Sequence, residues 1–316
     1  MSEKLEYPIA PSKIERSEAM TPTDIRIKSG NTEAVISPEM GGLVSVFSID
    51  GENILYENSE AYNDPNQRKI KAGIPVLFPY AGPRKGGIQH GGAREVPVWT
   101  WETSTENSVT LSLDSDHIKD IKLPSMVKGE KVGEFDGTIT VKKIIDGEEK
   151  TETQDIVGKL EELYGLGYRF DFEMKITVSE GSLRYDFKIK NLSGKDMPFA
   201  PGLHPYFKVD HTKRSEIKTN LENFDLASSL NDNTQVAERP NDGRVFVTLP
   251  DETKIEIDSS PEFKKFVGYA ETDESDYICI EPFVARPSSP EKDEIMIKYE
   301  ETKELFVEFR VSKENK

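Results

Sequence analysis

Apolar and polar residues alternate with period two along most of this chain. Over 168–178 the alternation is unbroken: Tyr168, Phe170, Phe172, Met174, Ile176 and Val178 interleave with Arg169, Asp171, Glu173, Lys175 and Thr177. After Ser179-Glu180-Gly181-Ser182 it resumes with Leu183, Tyr185, Phe187 and Ile189. Successive side chains of an extended chain point to opposite faces, so this pattern predicts two half-buried strands joined by a short glycine-containing turn. The same signature recurs over 109–113, 245–249, 255–257, 295–299 and 305–311, and Ile25, Ile27, Val35 and the run 43–47 open the chain. Many short strands without an interleaved helical period predict an all-β protein, a large antiparallel β-sandwich or barrel.

Two segments depart from the pattern. Residues 1–22 are polar and contain proline, which predicts an extended arm. Residues 114–166 are less regular and are expected to be an insertion, decorating a sheet edge or forming a lid, within a single sandwich domain over 23–316. Ile156, Val157, Leu160, Leu163 and Tyr164 fall at helical spacing, so a short helix is expected over 154–164.

Composition sharpens the class. The chain has 316 residues, 35% of them apolar and 31% charged, with 15 Phe and 11 Tyr as bulky core material. One wet face per sheet accounts for the high charge, because every second strand residue meets water. The formal net charge of −17 repels nucleic acid and anionic lipid, so the expected partner is a small molecule, neutral or held by a local group of cations. A single cysteine, Cys279, excludes an intrachain disulfide framework. No apolar run has the length of a signal peptide or of a membrane span, and a cytoplasmic location is expected.

Four places carry candidate chemistry. His90 sits in Gly86-Gly87-Ile88-Gln89-His90-Gly91-Gly92, where glycines let backbone approach a ligand closely. His204 sits in Pro198-Phe199-Ala200-Pro201-Gly202-Leu203-His204-Pro205-Tyr206-Phe207, a collar of prolines and aromatics that fixes an imidazole in apolar surroundings. Glu281 ends the apolar run Ile278-Cys279-Ile280; burial there would raise its pKa and make it a candidate general base. Lys71, Arg84 and Arg94 flank the proline-punctuated segment Gly73-Ile74-Pro75-Val76-Leu77-Phe78-Pro79 and concentrate positive charge in an acidic chain. His117 and His211 lie in polar loops and read as solvated residues. His90, His204 and Glu281 also have the composition of a two-histidine, one-carboxylate metal set.

Gly-Ile-Pro-Val-Leu-Phe-Pro, then His-Gly-Gly-Ala-Arg, then Gly-Leu-His-Pro-Tyr-Phe, then Cys-Ile-Glu-Pro-Phe, in that order, resemble the aldose 1-epimerase (galactose mutarotase-like) superfamily. The resemblance implies a β-supersandwich with a sugar cleft on one sheet. It implies Glu281 as general base and His204 as general acid. His90 would bind the sugar near its ring oxygen. Independently of the resemblance, Tyr206 in the aromatic Pro-Tyr-Phe segment is a candidate to stack on a sugar. The first two segments look closer to the hexose-6-phosphate branch, which implies phosphate contacts from the positions of Lys71 and Arg94, with Arg84 nearby. Lys71 stands where that branch usually has arginine. The family's hydroxyl-binding aspartate has no clear counterpart, Asp225 being the candidate.

The implied reaction accounts for these residue types. Interconverting α and β anomers opens a hemiacetal: a base takes the C1 hydroxyl proton while an acid protonates the ring oxygen. Rotation about C1–C2 precedes closure with the roles reversed. Acid and base therefore need pKa values near the working pH, which a carboxyl raised by burial and an imidazole supply. No metal or organic cofactor is required. The alternative is a non-catalytic carbohydrate-binding or sensing protein on the same scaffold.

Overall fold

The strongest alternation becomes the longest hairpin. In the computed structural model, strands Phe170–Ser179 and Ser182–Asn191 pair antiparallel, with Val178 opposite Leu183 and Gly181 at φ 68° in the turn. The structure describes residues 24–63, 70–82, 94, 99–115, 124–127, 130–134, 138–145, 148–155, 168–230, 233–287 and 292–313. The hairpin lies inside an eight-stranded antiparallel sheet in the order Lys218–Thr219, Arg244–Thr248, Thr253–Ser259, Thr302–Lys313, Ser182–Asn191, Phe170–Ser179, Ser108–Asp114, Thr100–Ser104. One face is apolar. The other carries a charge ladder in which Arg310 bridges Glu256 (2.8 Å) and Glu308 (2.6 Å), and Arg184 pairs with Asp186 (2.7 Å) and lies over the Phe306 ring. The alternation of the sequence is this division between core and water.

A four-stranded sheet over Ile25–Ser29, Thr32–Ser37, Leu43–Ile49 and Glu52–Asn53, and a second sheet built around Tyr277–Phe283, share one core with the apolar face of the eight-stranded sheet. The second sheet runs in the order Gln235–Glu238, Lys265–Tyr269, Tyr277–Phe283, Gly202–Leu203, Val76–Leu77, with Tyr206–Lys208 also paired to Tyr277–Phe283. Every residue of Tyr277–Phe283 is buried, so both faces of the sheet are covered at this strand. Ile278 lies opposite Phe207, and Phe207 packs edge-on against Phe309 of the eight-stranded sheet with ring centroids 6.0 Å apart. Alternation then turns Tyr277, Cys279 and Glu281 to the other side.

Backbone hydrogen bonds tie the proline-punctuated segment to this sheet. His204 N donates to Pro75 O (3.0 Å), Tyr206 N to Gly73 O (2.9 Å), Gly73 N to Tyr56 O (3.1 Å) and Ile74 N to Val44 O (2.8 Å). Gly73 sits at φ +63°, and a Cβ there would stand 2.3 Å from Val44 O, so only glycine fits this crossing.

The all-β reading and the predicted strands hold, with small differences. The strand predicted over 295–299 ends at Ile297, leaving Tyr299 exposed. Beyond Asp114, which ends the strand Ser108–Asp114, and Ser115, the described parts of 114–166 form two antiparallel hairpins, Pro124–Val127 with Glu130–Glu134 and Thr138–Ile145 with Glu148–Asp155. Gln154 and Asp155, the first residues of the expected helix, belong to the latter strand; 156–164 and the arm over 1–22 lie outside the described residues. No helix among the described residues is long and apolar enough to cross a membrane.

Gly73→Ala is expected to destabilise the fold by about 1–3 kcal/mol, the cost of left-handed backbone in a non-glycine residue, plus the contact with Val44. A thermal melt reads it as a lowered Tm, and an unchanged Tm would contradict the crossing described.

Candidate active site

The face of the second sheet turned away from Phe309 carries an unusual set of side chains. Tyr206 lies opposite Cys279, Tyr269 also opposite Cys279 on the other flank, and Val267 opposite Glu281. Residues directly opposite in antiparallel strands share a face, so register alone gathers Tyr206, Tyr269, Tyr277, Cys279 and Glu281. His204 joins them at the end of Gly202–Leu203, where Pro205 breaks the strand. Gly202 permits the approach, since a Cβ there would stand 2.4 Å from the Phe283 ring.

His204 Nε2 lies 3.5 Å from Glu281 Oε2. The imidazole is held on two sides. The Tyr206 ring stacks on it, with centroids 4.6 Å apart and planes 4° from parallel, and Tyr269 meets it edge-on at 5.6 Å. Tyr206 is itself locked edge-on against Tyr277 at 4.9 Å. Tyr206 is thus buried behind the imidazole and presents no open face to solvent. Glu281 retains 3% of its exposure and His204 8%, so the histidine is the more accessible of the pair.

Burial raises the Glu281 carboxyl well above the ordinary carboxylate range, and the Arg94 guanidinium opposes that shift. Burial likewise raises the Cys279 thiol, with the nearby Glu281 charge adding to it. Arg94 is buried. Its Nη2 donates to Ile70 O at 2.5 Å, and its Nε has no hydrogen-bond partner among the described residues. One residue along from Ile70, Lys71 forms an ion pair with Glu271, which follows the strand that carries Tyr269. Arg214 anchors the same loop from beneath, its Nη2 donating to the carbonyls of Thr272, Asp273 and Ser275 at 3.3, 3.2 and 2.7 Å.

The structure therefore brings together His204, Glu281, Tyr206 and Arg94 from the sequence-predicted set, with Lys71 beside them on the segment that Arg94 grips. His90 and Arg84 lie outside the described residues. Asp225 does not join the group. It is exposed and accepts from Ala227 N (3.0 Å) in a turn of its own, and its neighbours Phe224 and Leu226 pack on Gly268, which alternates to the side opposite Glu281. Sequence reasoning missed Tyr269, Tyr277 and Glu271. Tyr277 was recoverable, since it shares parity with Glu281 in one strand. The Lys71–Glu271 pair spans 200 positions and leaves no local trace.

Chemically, a buried carboxyl with a raised pKa beside an imidazole is a proton donor–acceptor pair. The two oxygens that lose and gain protons in anomer interconversion are bonded to one carbon, so groups serving them must stand within a few ångström of each other, as these do.

The family model for aldose 1-epimerase matches residues 140–274. No curated protein matches the chain. Among solved structures, the Slr1438 protein of Synechocystis sp. PCC 6803 aligns with a TM-score of 0.70 at 20% identity, covering 96% of this chain and 100% of its own. A galactose mutarotase related enzyme from Lactobacillus acidophilus aligns at 0.63 and 16% identity, over 92% of this chain and 97% of its own. A galactose mutarotase-like protein from Lactobacillus casei aligns at 0.63 and 15%, over 92% and 100%. By fold the chain is galactose mutarotase-like, and through residues 140–274 it matches the aldose 1-epimerase family.

Proposed function

We propose that the protein is an aldose 1-epimerase that interconverts the α and β anomers of a hexose or hexose 6-phosphate, with Glu281 as base and His204 as acid. The family match and the fold support a mutarotase-like function. The observation that carries the assignment of roles is the 3.5 Å approach of His204 Nε2 to Glu281 Oε2 on a single sheet face.

In the ring-opening direction the Glu281 carboxylate takes the proton of the C1 hydroxyl while the imidazolium of His204 delivers one to the ring oxygen. The C1–O5 bond breaks and an open-chain aldehyde forms. After rotation about C1–C2, neutral His204 takes the C5 hydroxyl proton as that oxygen attacks C1, and the Glu281 carboxyl returns its proton to the aldehyde oxygen. The cycle ends in the starting protonation state. Stacked Tyr206 and edge-on Tyr269 keep the imidazole plane fixed, so it need not reorient between the two steps. Arg94 holds the carboxylate form of Glu281 within reach. Among the described residues, the Arg94 guanidinium, through its Nε, and the Lys71 ammonium are offered to a sugar hydroxyl or phosphate, Lys71 after exchanging Glu271 for the ligand.

The raised pKa of Glu281 couples folding to pH. Below about pH 4.3, an unfolded glutamate and the folded one are both protonated, and burial exacts nothing. As pH rises, the unfolded chain ionises first and stability falls, by up to ~1.4 kcal/mol per pH unit, until the folded carboxyl also ionises. Glu281→Gln removes this loss. The variant's Tm is expected to exceed wild type at pH 7 and to converge with it near pH 4; a gap that instead widens on acidification would refute the assigned shift.

Turnover should move the other way. Glu281→Gln and His204→Asn are each expected to slow mutarotation by about 10²–10⁴, followed by polarimetry from a fresh α-anomer. A variant that still binds sugar but has lost turnover excludes the purely sugar-binding reading, whereas wild type without acceleration for any hexose or hexose phosphate defeats the epimerase reading. The rising limb of kcat/KM against pH should lie above the ordinary carboxylate range, and Arg94→Met should displace it further upward by removing the charge that favours the ionised form.

Lys71→Met separates the substrate classes. It is expected to raise KM for a hexose 6-phosphate about tenfold or more, the worth of a charged hydrogen bond, and to leave KM for the unphosphorylated hexose unchanged. Equal effects on both would remove the phosphate contact from the reading.

A further inference from the structure

Cys279 takes no part in ring opening, yet its sulfur stands in the same cluster as the acid and base. Cys279 Sγ, a His204 ring nitrogen and a Glu281 carboxylate oxygen all lie within 4.8 Å of one another, and all three residues are buried. Bonds of roughly 2.0–2.3 Å to a tetrahedral zinc ion place its ligand atoms about 3.3–3.6 Å apart. His204 Nε2 and Glu281 Oε2, at 3.5 Å, already stand at that spacing, and the sulfur, within 4.8 Å of a ring nitrogen and a carboxylate oxygen, needs to close by little more than roughly an ångström at most. One sulfur, one nitrogen and one oxygen leave the fourth position open, as in zinc sites with three protein ligands.

The surroundings select the kind of cation. Arg94 acts on both Glu281 and Cys279, and Arg214 acts on Cys279. A hard cation relying on the one carboxylate would meet these guanidinium charges with little to offset them. A soft cation gains a thiolate as well, so two anionic ligands face its two charges, and sulfur with imidazole favours zinc over magnesium or calcium. The backbone registers that bring Cys279 opposite both Tyr206 and Tyr269 hold the sulfur on the site face without a loop movement.

We propose that Cys279, His204 and Glu281 form a binding site for a soft divalent cation, zinc, whose occupancy ties up both proton-transferring groups. The metal replaces the Cys279 thiol proton, which passes to solvent, and takes the lone pair of His204 and an oxygen of Glu281. The metal site stands on the donor geometry alone, while its inhibitory consequence rests on the epimerase reading.

Cobalt(II) serves as a visible probe of the full-length, chelator-treated protein. One equivalent should produce a sulfur-to-cobalt charge-transfer band that added zinc discharges. Cys279→Ser, shown to be folded by circular dichroism and expected to keep its mutarotation rate, should lose the band. Its affinity for zinc should fall at least ~10-fold, since even outer-shell partners of a metal cost 10–100-fold. Cys279→Ala provides the same test without a hydroxyl. Zinc should slow wild-type mutarotation, a chelator should restore it, and the Cys279→Ser enzyme should need at least ~10-fold more zinc for the same slowing. No band, or a band that survives in both cysteine variants, overturns the site. A band from a protein without mutarotase activity upholds the metal site while the epimerase reading fails, so the two stand or fall separately.

Discussion

Burying the carboxyl of Glu281 is the constraint on which the rest of this site depends. A carboxylate withdrawn from water is costly unless charge or hydrogen bonds answer it. Here the answer is incomplete by construction: Arg94 opposes the effect of burial without cancelling it, and His204 approaches to 3.5 Å. A closely paired carboxylate would be locked in its ionised form, and one without a cation would be locked neutral. The arrangement favours the protonated carboxyl while keeping a guanidinium and an imidazole at hand for the ionised form.

That arrangement requires a sheet covered on both faces, and the fold supplies one. The Phe207, Ile278 and Ile280 face joins the common core, and the Tyr277, Cys279 and Glu281 face is left for chemistry. The segment through Ile70, Gly73 and Pro75 runs along the edge of that sheet beside this face. Its carbonyls accept from Arg94, Tyr206 and His204 respectively. Three residues of the proposed machinery are therefore set by one stretch of backbone, and the positive φ of Gly73 is what lets that stretch pass close enough to Val44 to do so.

The sequence made the scaffold legible because half-buried strands write their exposure into period two; 168–191 could be read almost residue by residue. Fully buried strands carry no such record. Tyr277–Phe283 is apolar and polar in no wet-dry rhythm because neither face is wet, and Glu281 stood out only as a carboxylate where none belongs. His204 was visible through its collar of prolines. What was not legible was the pairing across distance: Tyr269 on His204, Arg94 on Ile70, Lys71 on Glu271. Register between strands far apart in sequence is set by packing of the whole sandwich, which local pattern does not encode. Asp225 shows the converse error, a carboxylate of suitable type that the chain uses to close its own turn.

The site is a place where stability is given up, and the eight-stranded sheet is where it is recovered. Raised carboxyl and thiol pKa values at Glu281 and Cys279 mean that ionisation at either one opposes folding. On the outer face of the large sheet the carboxylates of Glu256, Glu308 and Asp186 all meet guanidinium groups, and beneath them Tyr185, Phe187 and Phe309 join the sheet to the common core. Separating the two jobs onto different sheets lets the small sheet keep an unfavourable, proton-ready carboxyl without placing it in the layer that holds the molecule together, which is the usual relation between a strained active site and its support.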